Sequence, residues 1–99
     1  MYDGIALLSG GSYAEWASIP ATHIMPLPKN LNFVEGAAIP EAWLTAFQLL
    51  RLADTKPGDN VVVYAAASGV GTAAIQLGKL LGANVYCVVS SEEKGKICS

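Results

Sequence analysis

The spacing of apolar residues differs between the first and the second part of the chain. The first part has the pattern of short strands. Short strands are predicted at 4–8 and 12–19, joined in a hairpin by Ser9-Gly10-Gly11, because Gly-Gly tolerates the positive φ of a tight turn. His23–Met25 then leads into Pro26-Leu27-Pro28 and is typical of an edge strand, since proline cannot donate to a ladder. We therefore expect a β region in the first part of the chain.

Helix signals follow. Asn32 and, three residues later, Glu35 have the arrangement of a capping box, which predicts a short helix over 36–39 that Pro40 stops. From Glu41 to Arg51 the apolar residues lie on nearly all sides of a second helix, with Pro40 well placed at its start. We expect this second helix to be buried on most sides.

After a polar loop at 54–60, strands and helices alternate. The run 61–65 is β-branched without alternation, as in a parallel strand buried on both faces, and 85–89 repeats the pattern. Between them a glycine-rich turn opens a helix over 72–81 that Gly82 closes, and 90–93 carry the capping and acidic signals of a further helix. Strand, turn, helix and strand over about thirty residues predict a βαβ unit.

The glycine-rich turn is the candidate chemical motif. Gly69 and Gly71 would let the backbone approach a pyrophosphate, and the helix N-terminus would attract its charge. Only two glycines match the G-x-G-x-x-G template, because Ala74 holds the third position. A tight turn in a parallel-sheet protein that binds no nucleotide is the alternative. The position of the turn between strand and helix, about twenty residues before the end of the next strand, favours dinucleotide binding.

Composition adds that the chain is too apolar for its size. The 99 residues are 53% hydrophobic and 14% charged, whereas charged residues make up about 25% of an ordinary globular domain. A body this small buries only about 60–65% of its unfolded surface, so it cannot hide that many apolar side chains. We therefore expect the chain to be a piece of a larger protein.

Charge and hydropathy argue against several classes of function. Six basic and eight acidic residues give a net charge of −2 without a basic stripe, so we expect no nucleic-acid surface. No apolar stretch approaches the ~20 residues of a membrane span, and the N-terminus lacks the features of a secretory signal.

Cys87, Cys98 and His23 fit neither a disulfide framework nor a metal-ligand spacing, which predicts a reducing, cytoplasmic setting and no metal. Cys87, in the middle of a strand, is expected to be a small buried hydrophobe.

Three segments of the chain resemble one family. Tyr64–Leu77 resembles the cofactor loop of the zinc-independent quinone oxidoreductases of the medium-chain dehydrogenase/reductase superfamily, which reads A-x-x-G-G-V-G, with Ser68 in place of the commonest glycine. Ala37–Phe47 resembles the segment before that family's nucleotide domain, and Gly10–Trp16 resembles its G-G-x-Y-A-E-Y. Within this family the chain is most similar to the p53-inducible type, on the basis of Ser68 and of the run E-A-W-L-T-A-F-Q-L-L at Glu41–Leu50. The resemblance extends over nearly the whole chain.

The resemblance implies an α/β fold and a division of the chain. Residues 1–30 would be the last strands of a GroES-like domain, 31–59 connecting helices and a loop, and 60–99 the first βαβ of a Rossmann domain. The function implied is NADPH-dependent transfer of hydride to a quinone or reactive enone without metal, in a protein that forms homo-oligomers. The resemblance names no catalytic residue. The alternative is a truncated, non-catalytic fragment that binds nucleotide or another subunit.

The resemblance also implies cofactor-binding roles near the glycine-rich turn. Ser68, Gly69, Val70 and Gly71 would line the pyrophosphate, although Val70 is equally well explained as a packing residue. Thr45 would lie beside the nicotinamide, where its hydroxyl would hold the carboxamide. The alternative for Thr45 is a helix-interior threonine whose hydroxyl bonds its own i−4 carbonyl.

The second strand ends where this family reads the adenosine ribose. Ser90, Ser91 and Lys94 fall there, and a serine replaces the carboxylate of an NAD-selective site. Lys94 would supply a charge-assisted contact to a 2′-phosphate, which predicts NADPH as the cofactor. Glu92 and Glu93 argue against this preference unless they face solvent in the first turn of the next helix.

Overall fold

The computed structural model describes residues 4–5 and 10–99, which form two compact units that divide between Glu41 and Ala42. In the first unit, strand β1 (Gly4–Ile5) pairs antiparallel with β2 (Met25–Pro26), so that Gly4 lies opposite Pro26 and Ile5 opposite Met25. A 3₁₀ turn at Ala21–His23 precedes β2. The predicted edge strand at His23–Met25 therefore begins two residues later than expected.

The predicted hairpin is only partly present. Gly4–Ile5 of the predicted strand 4–8 are in β1, and the rest of that strand lies outside the described residues. Gly10 and Gly11 have positive φ values of 156° and 77°, as expected of a Gly-Gly turn. The strand predicted over 12–19 is wrong, because these residues form bends and loop with almost every side chain exposed. Neither face of that segment is cleanly apolar, so strand formation would give it no face to bury.

The capping box is confirmed. The Asn32 side chain accepts from the Glu35 N–H at 2.8 Å, and Glu35 Oε2 accepts from the Asn32 N–H at 3.2 Å. Helix α1 (Phe33–Ala37) follows its cap directly and so lies earlier than the predicted 36–39. Helix α2 (Pro40–Leu52) has Pro40 at its first position, as predicted.

The second unit contains the predicted βαβ arrangement. Strand β3 (Asn60–Tyr64), helix α3 (Gly69–Leu80) and strand β4 (Asn84–Val88) follow one another, and helix α4 (Glu92–Cys98) comes last. The two strands are parallel, in register from Asn60 opposite Asn84 to Tyr64 opposite Val88. Gly82 follows α3 with a φ of 83°, which is the left-handed position that commonly ends a helix.

Small residues form the core of the second unit. Ala46, Ala73 and Ala74 form one cluster, against which Val63 packs. A second cluster joins the residues Ala66, Ile75 and Cys98, with Val63, Val85 and Val89 packed on it. Because Val63 and Val85 share one face of the sheet, the helices cover that face.

Two predictions of burial are wrong. The opposite face of the sheet bears Val62, Tyr64, Tyr86 and Val88, which are 53%, 77%, 57% and 43% exposed, so β3 and β4 are covered on one face only. Helix α2 is likewise not buried on most sides. Its Ala46 and Leu50 are buried, but four of its large apolar side chains are exposed, namely Leu44, Phe47, Leu49 and Leu52. The strands and the helix therefore carry more apolar side chains than the described part of the chain covers.

Candidate functional site

The carboxyl ends of the two parallel strands open into a pocket of about 390 Å³. Two turns form its walls, one joining β3 to α3 and the other joining β4 to α4. The residues that line it are Ala65, Ala66, Ala67, Ser68, Val88, Val89, Ser90 and Lys94. Crevices outside the carboxyl ends of parallel strands are the usual ligand sites of open α/β sheets. The location and the volume therefore suit one portion of a ligand.

Ser68 caps α3 at the edge of this pocket. Its Oγ accepts from the Gly71 N–H at 3.0 Å, and its carbonyl accepts from the Thr72 N–H at 2.8 Å. The Gly69 and Val70 N–H groups have no backbone acceptor in the part of the chain that the structure describes. A helix start with unused N–H groups favours negative charge. The serine that replaces the family's commonest glycine therefore has a structural role of its own.

The two glycines of the turn have different surroundings. A Cβ on Gly71 would lie 2.5 Å from the Ala65 carbonyl oxygen and 2.7 Å from that of Ala66, both backbone atoms. A Cβ on Gly69 would meet only the Ala42 Cβ, at 3.9 Å. Gly71 is buried and Gly69 is exposed. Gly71 is therefore required by the close approach of α3 to the end of β3.

Ala65 is a residue of this turn whose role the sequence did not indicate. Its φ of 51° lies in the left-handed region, which is rarely adopted by a residue with a Cβ. The Ser68 N–H donates to the Ala65 carbonyl at 2.9 Å, and the Ala66 N–H donates to the Val88 carbonyl at 3.1 Å. The turn is thus fixed both to the helix start and to the neighbouring strand.

On the other wall, Ser90 and Lys94 make direct contact. Lys94 Nζ donates to Ser90 Oγ at 3.0 Å, which places an ammonium group at the carboxyl end of β4. Ser91 has a different role, because its Oγ caps α4 by accepting from the Lys94 N–H at 3.3 Å. Glu92 and Glu93 are exposed in the first turn of α4. The positive charge at this wall is therefore provided by Lys94.

Of the predicted site residues, the structure brings together Ser68, Ser90 and Lys94. Val70 packs against the Ala46 cluster, and Thr45 is half-buried in α2; neither lines the pocket. The lining residues that sequence reasoning missed are Ala65, Ala66, Ala67, Val88 and Val89. The rule that ligands bind at the carboxyl ends of parallel strands could have found them.

The groups present fit a phosphorylated ligand. Lys94 supplies a cation, and the hydroxyls of Ser68 and Ser90 each accept one hydrogen bond while keeping a proton to donate. No group of three or more His, Cys, Asp or Glu side chains arranged to hold a metal occurs in 4–5 and 10–99. Over the same residues, no helix has the length and apolar character needed to cross a bilayer.

Several solved structures similar to the chain are oxidoreductases. The quinone oxidoreductase of Thermus thermophilus, solved also with NADPH, is 40% identical over 92% of the chain, with a TM-score of 0.87. An NAD-dependent alcohol dehydrogenase is 47% identical over 89% of the chain with a TM-score of 0.83, and CurK enoyl reductase is 36% identical over 76% with a TM-score of 0.69. The chain spans 31%, 26% and 23% of these structures, respectively.

Curated relatives of the chain include polyketide synthases and an alcohol dehydrogenase, and no protein-family model matches the chain. The highly reducing polyketide synthase lcsB of Purpureocillium lilacinum is 36% identical over 93% of the chain, which spans 4% of that protein. An alcohol dehydrogenase of Geobacillus stearothermophilus is 38% identical over 88% of the chain, which spans 25% of it. The mixed α/β structure thus resembles part of the medium-chain dehydrogenase/reductase oxidoreductases, among them quinone oxidoreductases, enoyl reductases and alcohol dehydrogenases.

Proposed function

We propose that the chain is part of an NADPH-dependent quinone oxidoreductase of the zinc-independent branch, closest to the p53-inducible type. In this proposal it comprises the end of a GroES-like domain and the first βαβ of a Rossmann domain. The nicotinamide, when bound, supplies hydride to a quinone or reactive enone. Quinones and enones are both conjugated carbonyl acceptors, and the similarity to quinone oxidoreductases and to enoyl reductases supports that substrate class.

The observation that carries the proposal is the Ser90–Lys94 contact at the carboxyl end of β4. An NAD-selective site has a carboxylate there, which accepts from the ribose 2′-hydroxyl and repels a 2′-phosphate. A serine hydroxyl and an ammonium group would instead bind the 2′-phosphate through a charge-assisted hydrogen bond. Glu92 and Glu93 are exposed and do not line the pocket, which supports the proposal.

The other predicted residues have supporting roles in this proposal. Ser68 and the unused N–H groups of Gly69 and Val70 would receive the pyrophosphate, while Gly71 lets α3 start close enough to β3 for them to do so. Thr45 remains our proposed contact of the nicotinamide carboxamide. The reaction then depends on positioning two reactants, with no acid or base named in this chain.

Cofactor titration of the full-length protein tests the proposal. We expect Lys94→Ala to weaken NADPH binding by about 10- to 100-fold, because a hydrogen bond to a charged group is worth about 1.5–3 kcal/mol. NADH binding should not change, since NADH has no 2′-phosphate. Lys96→Ala is the matched control: it removes the same charge from an exposed position of α4 that does not line the pocket, and should leave both affinities unchanged.

Two results would contradict the proposal. Equal losses for NADPH and NADH in Lys94→Ala would mean that Lys94 does not read the 2′-phosphate. Absence of NADPH oxidation when a quinone is the only acceptor would remove the proposed reaction but leave the cofactor assignment standing.

A non-catalytic role of the 99 residues alone is the second candidate. The open apolar face of the sheet, with Tyr64 77% exposed, favours it, because such a face is typical of a surface that another segment or subunit covers. We expect the isolated 99 residues to reduce no quinone. Turnover by the isolated chain at a normal enzyme rate would exclude this candidate.

A further inference from the structure

The two cysteines of the chain lie close together, although eleven positions separate them. Every second residue of a strand faces the same side of the sheet. The side chains of Val85, Cys87 and Val89, in β4 and just after it, therefore point to one face. Cys98, at the end of α4, packs in the cluster that contacts both Val85 and Val89. Cys98 is therefore placed over the position between those two valines, which is Cys87.

One cavity confirms this juxtaposition. Cys87 and Cys98 both line a space of about 350 Å³ between α3, α4 and β4, together with Ile75 and Lys79. Both cysteines are free thiols. The expectation that Cys87 is a buried hydrophobe is wrong, because it is exposed while Cys98 is only 8% exposed. Cys87 is therefore the more accessible of the two thiols.

The two thiols differ in reactivity, so that one can react with an oxidant first and the other can then form the disulfide. Burial raises the pKa of the Cys98 thiol, and the charge and hydrogen bonding of the Cys87 thiol raise it further. A thiolate is the nucleophile toward oxidants, so a buried thiol with a raised pKa is a poor first reactant. Cys87 is therefore suited to react first and Cys98 to react second.

We propose that Cys87 and Cys98 form a reversible, peroxide-driven disulfide that ties the end of α4 to β4. The Cys87 thiolate attacks one oxygen of hydrogen peroxide, the O–O bond breaks, and the departing hydroxide takes up a proton to become water. Cys98 sulfur then attacks the resulting Cys87 sulfenic acid, the S–O bond breaks, and the hydroxyl leaves as a second water with the Cys98 proton. The two thiols lose two electrons, and the peroxide gains them.

The disulfide would close a loop that contains the β4–α4 turn. Ser90, Ser91 and Lys94 all lie between the two cysteines in the chain, so the cross-link would restrict the segment that forms one wall of the 390 Å³ pocket. Such a disulfide would stabilise the segment mainly by limiting the conformations of the unfolded chain. The proposal does not depend on which cofactor binds there.

Peroxide treatment of the full chain followed by peptide mass analysis tests the inference. Trypsin cuts after Lys79, Lys94 and Lys96, so Cys87 and Cys98 fall on separate peptides that only a disulfide can join. We expect that joined peptide from the native monomer, with the loss of two hydrogen atoms, and its disappearance after dithiothreitol. Cys87→Ser and Cys98→Ser should each abolish it.

A variant with the thiol on the other sheet face is the matched control. Tyr86→Cys combined with Cys87→Ser keeps two thiols almost the same distance apart in sequence, but strand alternation turns one of them away from α4. We expect cross-linking at least about tenfold slower in this variant, because the folded structure no longer concentrates one thiol at the other. Equal rates in the two proteins would overturn the inference. So would equal rates for the wild-type chain with and without urea, or oxidation that gives only intermolecular disulfides or Cys87 sulfinic acid.

Discussion

Replacing Gly71 by alanine should damage the second unit far more than the same change at Gly69. The added Cβ of Gly71→Ala would lie 2.5 Å from the Ala65 carbonyl oxygen and 2.8 Å from the Ala66 carbonyl carbon. These are backbone atoms of a turn that is hydrogen-bonded to both α3 and β4, so they cannot move aside as a flexible side chain would. The start of α3 must therefore shift away from the end of β3.

The size of the effect follows from two opposing contributions. Overpacking of this kind costs about 1–3 kcal/mol, and three backbone contacts at or below 2.8 Å place Gly71 toward the upper end. Alanine returns about 0.5–1 kcal/mol in a helix relative to glycine. We expect Gly71→Ala to lower the free energy of unfolding by roughly 2 kcal/mol, and Gly69→Ala, whose Cβ has open space, to leave it unchanged or slightly raised.

Thermal unfolding followed by far-ultraviolet circular dichroism measures this difference. For a domain of this size, about 1 kcal/mol corresponds to a Tm shift of about 4–8 °C, so the two variants should differ by about 8–16 °C. Urea titration of the same proteins gives an independent value. Equal Tm values for Gly69→Ala and Gly71→Ala would refute the reasoning, because they would show that the close approach at Gly71 does not constrain the fold.

Three other measurements test individual features of the structure. Asn32→Ala should destabilise the first unit by about 0.5–2 kcal/mol through loss of the cap, and unchanged urea unfolding would contradict this. Ala65→Gly should leave stability unchanged or raise it by up to about 1 kcal/mol, because it relieves a positive φ; the control Ala67→Gly, which relieves none, should lower stability. Alkylation of Cys98 by iodoacetamide should require a higher pH than alkylation of Cys87, because burial raises the pKa of the Cys98 thiol. Equal labelling rates of the two thiols in a pH series would show this difference to be wrong.

The features predicted well are those that a few neighbouring residues decide. The capping box needs only Asn32 and Glu35, and both of its hydrogen bonds are present. The helix-ending glycine needs only the left-handed conformation that Gly82 adopts. The βαβ arrangement follows from a change of periodicity between strand and helix, which is also a local property.

The predictions that were wrong concern contacts between distant segments. Residues 12–19 have residue types that suit a strand, but a strand also needs a partner, and no pairing includes them in the part of the chain that the structure describes. Cys87 was expected to be buried because it lies in an apolar run, yet it is exposed although it shares the helix-covered face of β4 with Val85. Propensity identified strand β4, whereas strand formation at 12–19 and burial of Cys87 both depended on what packs against those residues.

The candidate site shows why a motif count is a poor substitute for geometry. Gly69 and Gly71 contribute equally to the G-x-G pattern, but only Gly71 faces backbone atoms that exclude a Cβ. At the third position of the template, Ala74 is buried in the cluster with Ala46 and Ala73, where a methyl group fits and glycine is not required. Ser68, the departure from the family's commonest glycine, caps the helix whose start the motif needs. The physical requirement is a helix that begins close to the end of β3 with free N–H groups, and different residues can meet it.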